Sequence, residues 1–185
     1  MRATLHVIVA ILLLGGSLRA DEPLVPADVQ LAVFAKVWTL DRNFPANGDV
    51  KMAVLYQSHY RTSMAVRDEI VQAAPGVPGL RCTFIDLDTD TNSLDRLLKP
   101  GDVQVIYIAP LRAFEVDGIT RLARSRHLRT VTGVPEYVEQ GVALGLTVRK
   151  DRPLILVNLN AARAEGSEFS SQLLKLARIV GGKVP

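Results

Sequence analysis

Reactive side chains are few in this 185-residue sequence, and three groups of them define what chemistry is open to it. The first is Cys82, the adjacent Ser58-His59, and His127. No Gly-x-Ser-x-Gly turn surrounds Ser58, so nothing specific raises it to a hydrolase nucleophile. A single cysteine with so few histidines gives no zinc-ligand spacing. The second group is Asp86-Leu87-Asp88-Thr89-Asp90, which opens like a calcium loop. An EF-hand loop needs glycine at its sixth position and a bidentate glutamate at its twelfth. Thr91 and Leu97 stand there, so the run reads as a solvated, helix-capping acidic turn. The third group is cationic: Arg121, Arg124, Arg126, His127 and Arg129. It reads as a solvated helix face, or alternatively as a docking patch for an acidic partner or an anionic membrane surface. Glycine-rich phosphate loops are absent. The sequence therefore predicts no catalytic residues, no metal and no cofactor.

The elements that must position these groups follow from periodicity. Residues 27–40 carry Val29, Leu31, Val33, Val37 and Trp38, a broad apolar helical face opened by Pro26-Ala27-Asp28. Asp41, Arg42 and Asn43 then form a polar edge, read either as a solvated helix-terminal turn or as a surface that touches a partner. Strands are expected at 50–56, 80–87, 103–109 and 128–132. Helices are expected between them, from Ser58 or Tyr60 to Ala74, at 92–98 and at 114–126, with a short one at 135–140. In the helix before Pro75, Val66, Ile70, Ala74, Tyr60, Val71 and Met64 fall in one arc. Arg67 falls inside that arc, and either snorkels past it or faces a cleft and holds an anion. Residues 142–149 and 153–159 flank Lys150-Asp151-Arg152 and read as an antiparallel hairpin. The expected fold is α/β, a single-domain sandwich with a mostly parallel sheet, a C-terminal antiparallel hairpin and closing helices.

In open sheets of this kind, ligands gather beyond the carboxyl ends of the parallel strands. Those ends should present Gln57, Ser58 and His59, then Asp86 and Asp88, then Arg112, then Thr132, with Arg67 nearby. The set reads either as a small polar cleft or as loops that only turn the chain.

The last thirty-odd residues organise the rest. After the strand comes Asn158-Leu159-Asn160-Ala161-Ala162, with Asn160 expected to cap a short helix that closes at Gly166. Ser170 or Ser171 caps a second helix, expected to run to Val180. Its polar stripe Gln172, Lys175 and Arg178 is narrow, so it should be enclosed and close the core. This tail, with Ser170-Ser171-x-Leu173-Leu174-x-Leu176-Ala177, resembles the C-terminal signature of the YfiR family of small bacterial periplasmic proteins. Thr130-Val131-Thr132-Gly133-Val134-Pro135, Gln140-Gly141 and Gly145 extend the resemblance, which covers roughly residues 27 to 180. The run Trp38 to Pro45 departs from the family's aromatic-proline corner. Some relatives are disulfide-bonded, but Cys82 stands alone, so redox control is not expected here.

The amino terminus supports export. Arg2, the apolar run 7–14 and a small-residue stretch ending at Ala20 have the layout of a secretory signal peptide, with residues 21–185 as the mature domain. The apolar run is short for a bilayer span, so an uncleaved anchor is the lesser alternative. Removing the leader lowers Lys+Arg to 20 against 19 Asp+Glu, a net of +1, which gives no nucleic-acid footprint.

What the resemblance implies is a secreted, non-enzymatic regulatory binding protein, like the repressors that dock on the periplasmic domain of a membrane diguanylate cyclase. The partner is then a membrane-bound signalling protein. The alternative is a periplasmic small-ligand receptor serving a sensor kinase or transporter. The sequence leaves a homodimer and a small-molecule ligand open.

Overall fold

The computed structural model describes residues 25–44, 48–89, 94–98 and 101–181. The expected signal peptide, Asp90 and the start of the expected 92–98 helix lie outside the described residues. The elements run α1 (Ala27–Trp38), β1 (Val50–Tyr56), α2 (Arg61–Ala73), β2 (Leu80–Asp86), α3 (Leu94–Leu97), β3 (Val105–Ile108), α4 (Val116–Ser125), β4 (Arg129–Thr132), α5 (Pro135–Glu139), β5 (Leu144–Arg149), β6 (Arg152–Asn158), α6 (Leu159–Ala164), α7 (Ser171–Leu176) and β7 (Arg178–Val180).

The strands form one sheet in the order β2-β1-β3-β4-β5-β6-β7. Every neighbouring pair is parallel except β5 and β6, which form the antiparallel hairpin. That hairpin turns at Lys150 and Asp151, both with positive φ, the backbone twist that suits a two-residue connection.

Successive residues of β1 point to opposite sides of the sheet. Met52 and Val54 pack with Leu31, Phe34, Val66 and Ile70 of α1 and α2, while Ala53 and Leu55 pack with Val116, Ile119 and Ala123 of α4. The result is a helix-sheet-helix sandwich with a core on each face. A buried polar tether fixes α1: the Tyr107 hydroxyl donates to Gln30 Oε1 at 2.8 Å, and Gln30 Nε2 donates to the Val25 carbonyl. Gly133 is glycine because a Cβ there would meet the Gln30 amide at 2.6 Å.

Several expectations change. Asn158, not Asn160, caps α6: its Oδ1 accepts from the Ala161 N–H at 3.1 Å. Val157 and Asn158 still belong to the strand, so the first helical turn begins two residues earlier than the helix formers suggest. Ser170 does cap α7, but that helix stops at Leu176 rather than Val180. Arg178, Ile179 and Val180 pair in parallel with β6, whose free edge supplies backbone partners that a continued helix would leave unused. Nor is the tail enclosed. Leu173 is buried, whereas Leu176 and Ile179 are 64% and 42% exposed. On α2 the buried residues are Ser63, Val66 and Ile70, while Val71 faces solvent because the sheet covers a narrower stripe than the arc implied.

Candidate functional site

The order β2-β1-β3 makes the β1/β3 boundary the point where the chain reverses across the sheet. In such sheets this is where loops part and ligands enter. Gln57 follows β1 and spans the boundary. Its Oε1 accepts from the Arg112 N–H at 2.6 Å, and its Nε2 donates to Asp88 Oδ1 at 2.9 Å. Asp88 Oδ2 accepts from the His59 N–H at 2.8 Å and lies 3.4 Å from His59 Nδ1. Asp86 Oδ1 accepts from the Ser58 and Asp88 N–H groups, and Oδ2 from the Thr89 hydroxyl. Burial works to raise the Asp86 carboxyl, but the hydrogen bonds from Ser58, Asp88 and Thr89 outweigh it and hold it below the usual carboxylate range.

The structure therefore brings Gln57, Ser58, His59, Asp86, Asp88 and the Arg112 backbone together, and spends much of their hydrogen-bonding capacity on one another. Two further residues complete this rim and were not legible in sequence. Ser63 Oγ accepts from the Gln57 N–H at 2.9 Å, and the Tyr137 hydroxyl bridges the Leu111 N–H and carbonyl at 2.8 and 3.2 Å. A serine among the apolar positions of α2 was the one available signal for the first.

Arg67 sits beside this rim. Its guanidinium lies 5.2 Å over the Tyr56 ring and pairs with Asp68 at 3.1 Å. Thr132 does not join the set. It is buried, donates to the Ile108 carbonyl at 2.8 Å and accepts from the Val134 N–H, so it holds the turn after β4. Among the described residues, no three His, Cys, Asp or Glu side chains are grouped to hold a metal. A cavity of about 440 Å³ opens at the opposite end of the sheet, between Trp38, Phe44, Val50, Val77 and Leu80.

The expected partner surface is also redrawn. Asp41 is 5% exposed, not solvated: it pairs with Phe169 in an isolated β-bridge, and its Oδ1 accepts from the Asn43 and Glu168 N–H groups. Arg42 and Asn43 remain exposed. Arg42 pairs with Glu168 at 2.7 Å, and Asn43 Nδ2 donates to the Gly166 carbonyl. Of the arginine cluster, Arg121 stays on the surface beside Asp117. Arg124 donates to the Gly141 carbonyl, Arg126 to Leu98, and Arg129 to Asn43 at 2.9 Å while lying over the Phe44 ring. These three guanidiniums are partly or largely buried because backbone carbonyls left without ladder partners fall within their reach. The cluster does not form a solvated basic face.

The fold is α/β, a mostly parallel seven-stranded sheet flanked by helices. The chain superposes on the ligand-free, open structure of CD0873, a substrate-binding protein with adhesive properties from Clostridium difficile. It does so with a TM-score of 0.63 and 16% identity, covering 86% of this chain and 61% of that one. It is likewise similar to an ABC domain in complex with L-Trp from Streptococcus pneumonia (TM-score 0.58, 14% identity, 84% and 60% covered) and to a conserved domain protein from Vibrio cholerae (0.61, 12%, 84% and 60%). The chain spans about three fifths of the length of each. No curated protein matches the sequence. The YfiR/HmsC-like family profile matches residues 42–178, and the chain belongs to that family. Among the described residues, no helix is long and apolar enough to cross a membrane.

Proposed function

We propose that this chain is a periplasmic, non-enzymatic regulatory binding protein that docks on the periplasmic domain of a membrane diguanylate cyclase or related sensor. The observation that carries the reading is membership of the YfiR/HmsC-like family across most of the chain. The corner after α1 offers the surface, with Arg42, Asn43 and Glu168 exposed on a backbone that Asp41 and Phe169 hold in place. Docking changes a partner's output only by favouring one of its states over the other. Exposed charges at such a corner make the association sensitive to salt.

The test is capture of the periplasmic domain of a membrane cyclase encoded in the same genome, using the purified chain at 50 and 300 mM salt. Binding that weakens with salt and with Arg42→Glu supports the reading. No capture at either salt, or capture unaffected by Arg42→Glu, overturns it.

A second reading, a periplasmic small-ligand receptor serving a sensor kinase or transporter, draws support from the substrate-binding neighbours and the 440 Å³ cavity. A thermal-shift screen of amino acids and other small solutes separates the two. A ligand at a hundredfold excess over its Kd stabilises by about 2.7 kcal/mol, and a flat screen removes this reading.

A further inference from the structure

The arginines that stand close together in sequence are drawn inward to backbone carbonyls, yet the chain does carry an unpaired basic surface, at the β7 edge of the sheet. Arg149 and Arg152 stand directly opposite each other as the last pair of the β5–β6 hairpin, with Lys150 and Asp151 forming the turn. Arg178 is in register with Leu156, four residues along β6 from Arg152, a separation of about 13 Å. Residues an even number apart on a strand share one side of a sheet with their registered neighbours. Arg149, Arg152 and Arg178 therefore project from three adjacent strands on the same side. Lys175 lies in the last turn of α7, just before β7, and all five cations are exposed.

Like charges directly opposite on neighbouring strands repel, and an acid beside them would relieve the strain. Among the described residues, none of the five cations forms an ion pair; the pairs that do form lie elsewhere. Residues 21–185 hold 20 Lys+Arg against 19 Asp+Glu. The five cations with Asp151 carry +4 of that balance, which leaves −3 for everything else. Two apolar side chains break the surface beside them: Leu176 is 64% exposed and Ile179 42%. The edge strand itself is three residues long, too short to serve as a template for an added strand. The patch therefore fits a broad anionic surface better than an extended acidic peptide.

We propose that the β7 edge is a membrane-contact surface: the five cations face the phosphates of an anionic bilayer while Leu176 enters the headgroup layer. Basic side chains next to an exposed apolar one are the combination that holds a protein on such a surface, charge supplying most of the attraction and the apolar group a shallow anchor. The placement leaves the other proposed surface free. β5 is parallel to β4, β3 and β1, so the hairpin stands at the carboxyl end of those strands, whereas the Arg42 corner precedes the amino end of β1. The two surfaces lie at opposite ends of the sheet, and the membrane contact does not rest on the partner proposed above.

Vesicle co-sedimentation tests this on residues 21–185, which contain every described element of the fold and none of the apolar run at 7–14. With phosphatidylcholine vesicles containing one third phosphatidylglycerol, the protein should sediment at about 50 mM salt and be released by about 300 mM. It should stay in solution with phosphatidylcholine alone. Each cation at an anionic surface strengthens binding about fivefold, so Arg149→Glu with Arg152→Glu should weaken it at least about twenty-five-fold. Arg121→Glu with Arg163→Glu makes the same change in net charge on other exposed arginines and should leave binding within about threefold. Leu176→Ser should weaken it at about 50 mM salt. No sedimentation with the anionic vesicles, equal sedimentation with both lipids, equal losses in the two paired variants, or binding unchanged by Leu176→Ser would each overturn the membrane contact. Binding to soluble polyglutamate with none to vesicles would assign the edge to an acidic protein and likewise overturn it. If the paired Arg149 and Arg152 variant does not fold, Lys150→Glu in the exposed turn decides: a loss of at least about fivefold supports the proposal, and unchanged affinity defeats it. The cyclase-domain capture described above is run without lipid, so either result can fail alone.

Discussion

Asn158 ties strand β6 and helix α6 to helix α5, and replacing it tests how the tail is built. Its Oδ1 caps α6 through the Ala161 N–H, and its Nδ2 donates to the Val138 carbonyl at 2.9 Å, all in a nearly dry setting. Loss of a cap costs about 1 kcal/mol. Loss of a buried donor to a carbonyl costs about 1 to 2 kcal/mol more, moderated because Val138 also accepts from the Gly141 N–H at 3.3 Å. Asn158→Ala should therefore lower stability by about 2 to 3 kcal/mol, a fall of about 1 M in the urea midpoint. Asn158→Asp keeps the cap but sets a carboxylate against the Val138 carbonyl. At pH 7.5 it should be no more stable than Asn158→Ala, and at acid pH, where a neutral carboxyl can donate, it should recover relative to Asn158→Ala. Urea unfolding at both pH values gives the comparison. An Asn158→Asp protein within 0.5 kcal/mol of the parent at pH 7.5 would refute the bridging role.

Arg129 and Arg121 should part company: Arg129→Met strands Asp41 and uncouples Asn43, costing about 3 kcal/mol, whereas Arg121→Ala should stay within about 0.5 kcal/mol. Equal losses on thermal or urea unfolding would contradict the buried assignment of Arg129. Gly141 has φ of +107°, and a Cβ there meets the Arg124 guanidinium, so Gly141→Ala should cost about 1 to 2 kcal/mol. A neutral Gly141→Ala would show that the turn relaxes freely. Burial pushes the Cys82 thiol up to about 11. Its alkylation by iodoacetamide at pH 8 should run about a hundredfold slower than that of a free cysteine peptide and accelerate up to pH 11. Modification at the peptide's rate would place the thiol in solvent.

Much of the fold was legible locally. The turn residues Asn47-Gly48-Asp49 and the mainly apolar run after them marked the strand Val50–Tyr56 to the residue, Lys150-Asp151-Arg152 between two apolar runs marked the hairpin, and Ser170 or Ser171 announced α7, with Ser170 the cap. These features are set by neighbours in sequence: a cap needs an acceptor three residues before a free N–H, and a turn needs residues that tolerate positive φ. The strand-end grouping of Gln57, Ser58, His59, Asp86, Asp88 and Arg112 followed from a topological rule rather than from any motif. The rule places loop ends together but does not say whether they open to a ligand or bond to each other, as they largely do here.

What sequence alone determined, then, was the order of strands and helices as far as α7, the hairpin and the kinship carried by the Asn158 to Ala177 signature, because each depends on spacing within about twenty residues. Long-range contact decided the remainder. Arg178-Ile179-Val180 suits a helix or a strand equally, and the unpaired edge of β6 chose the strand. Arg124, Arg126 and Arg129 look like a charged surface until Gly141, Leu98 and Asn43 present their carbonyls. Glu165 is an ordinary acid in sequence, and becomes a buried one only when Thr130, 35 positions away, folds against it. In each case the side chain's state is set by desolvation and by partners remote along the chain, information that local spacing does not contain.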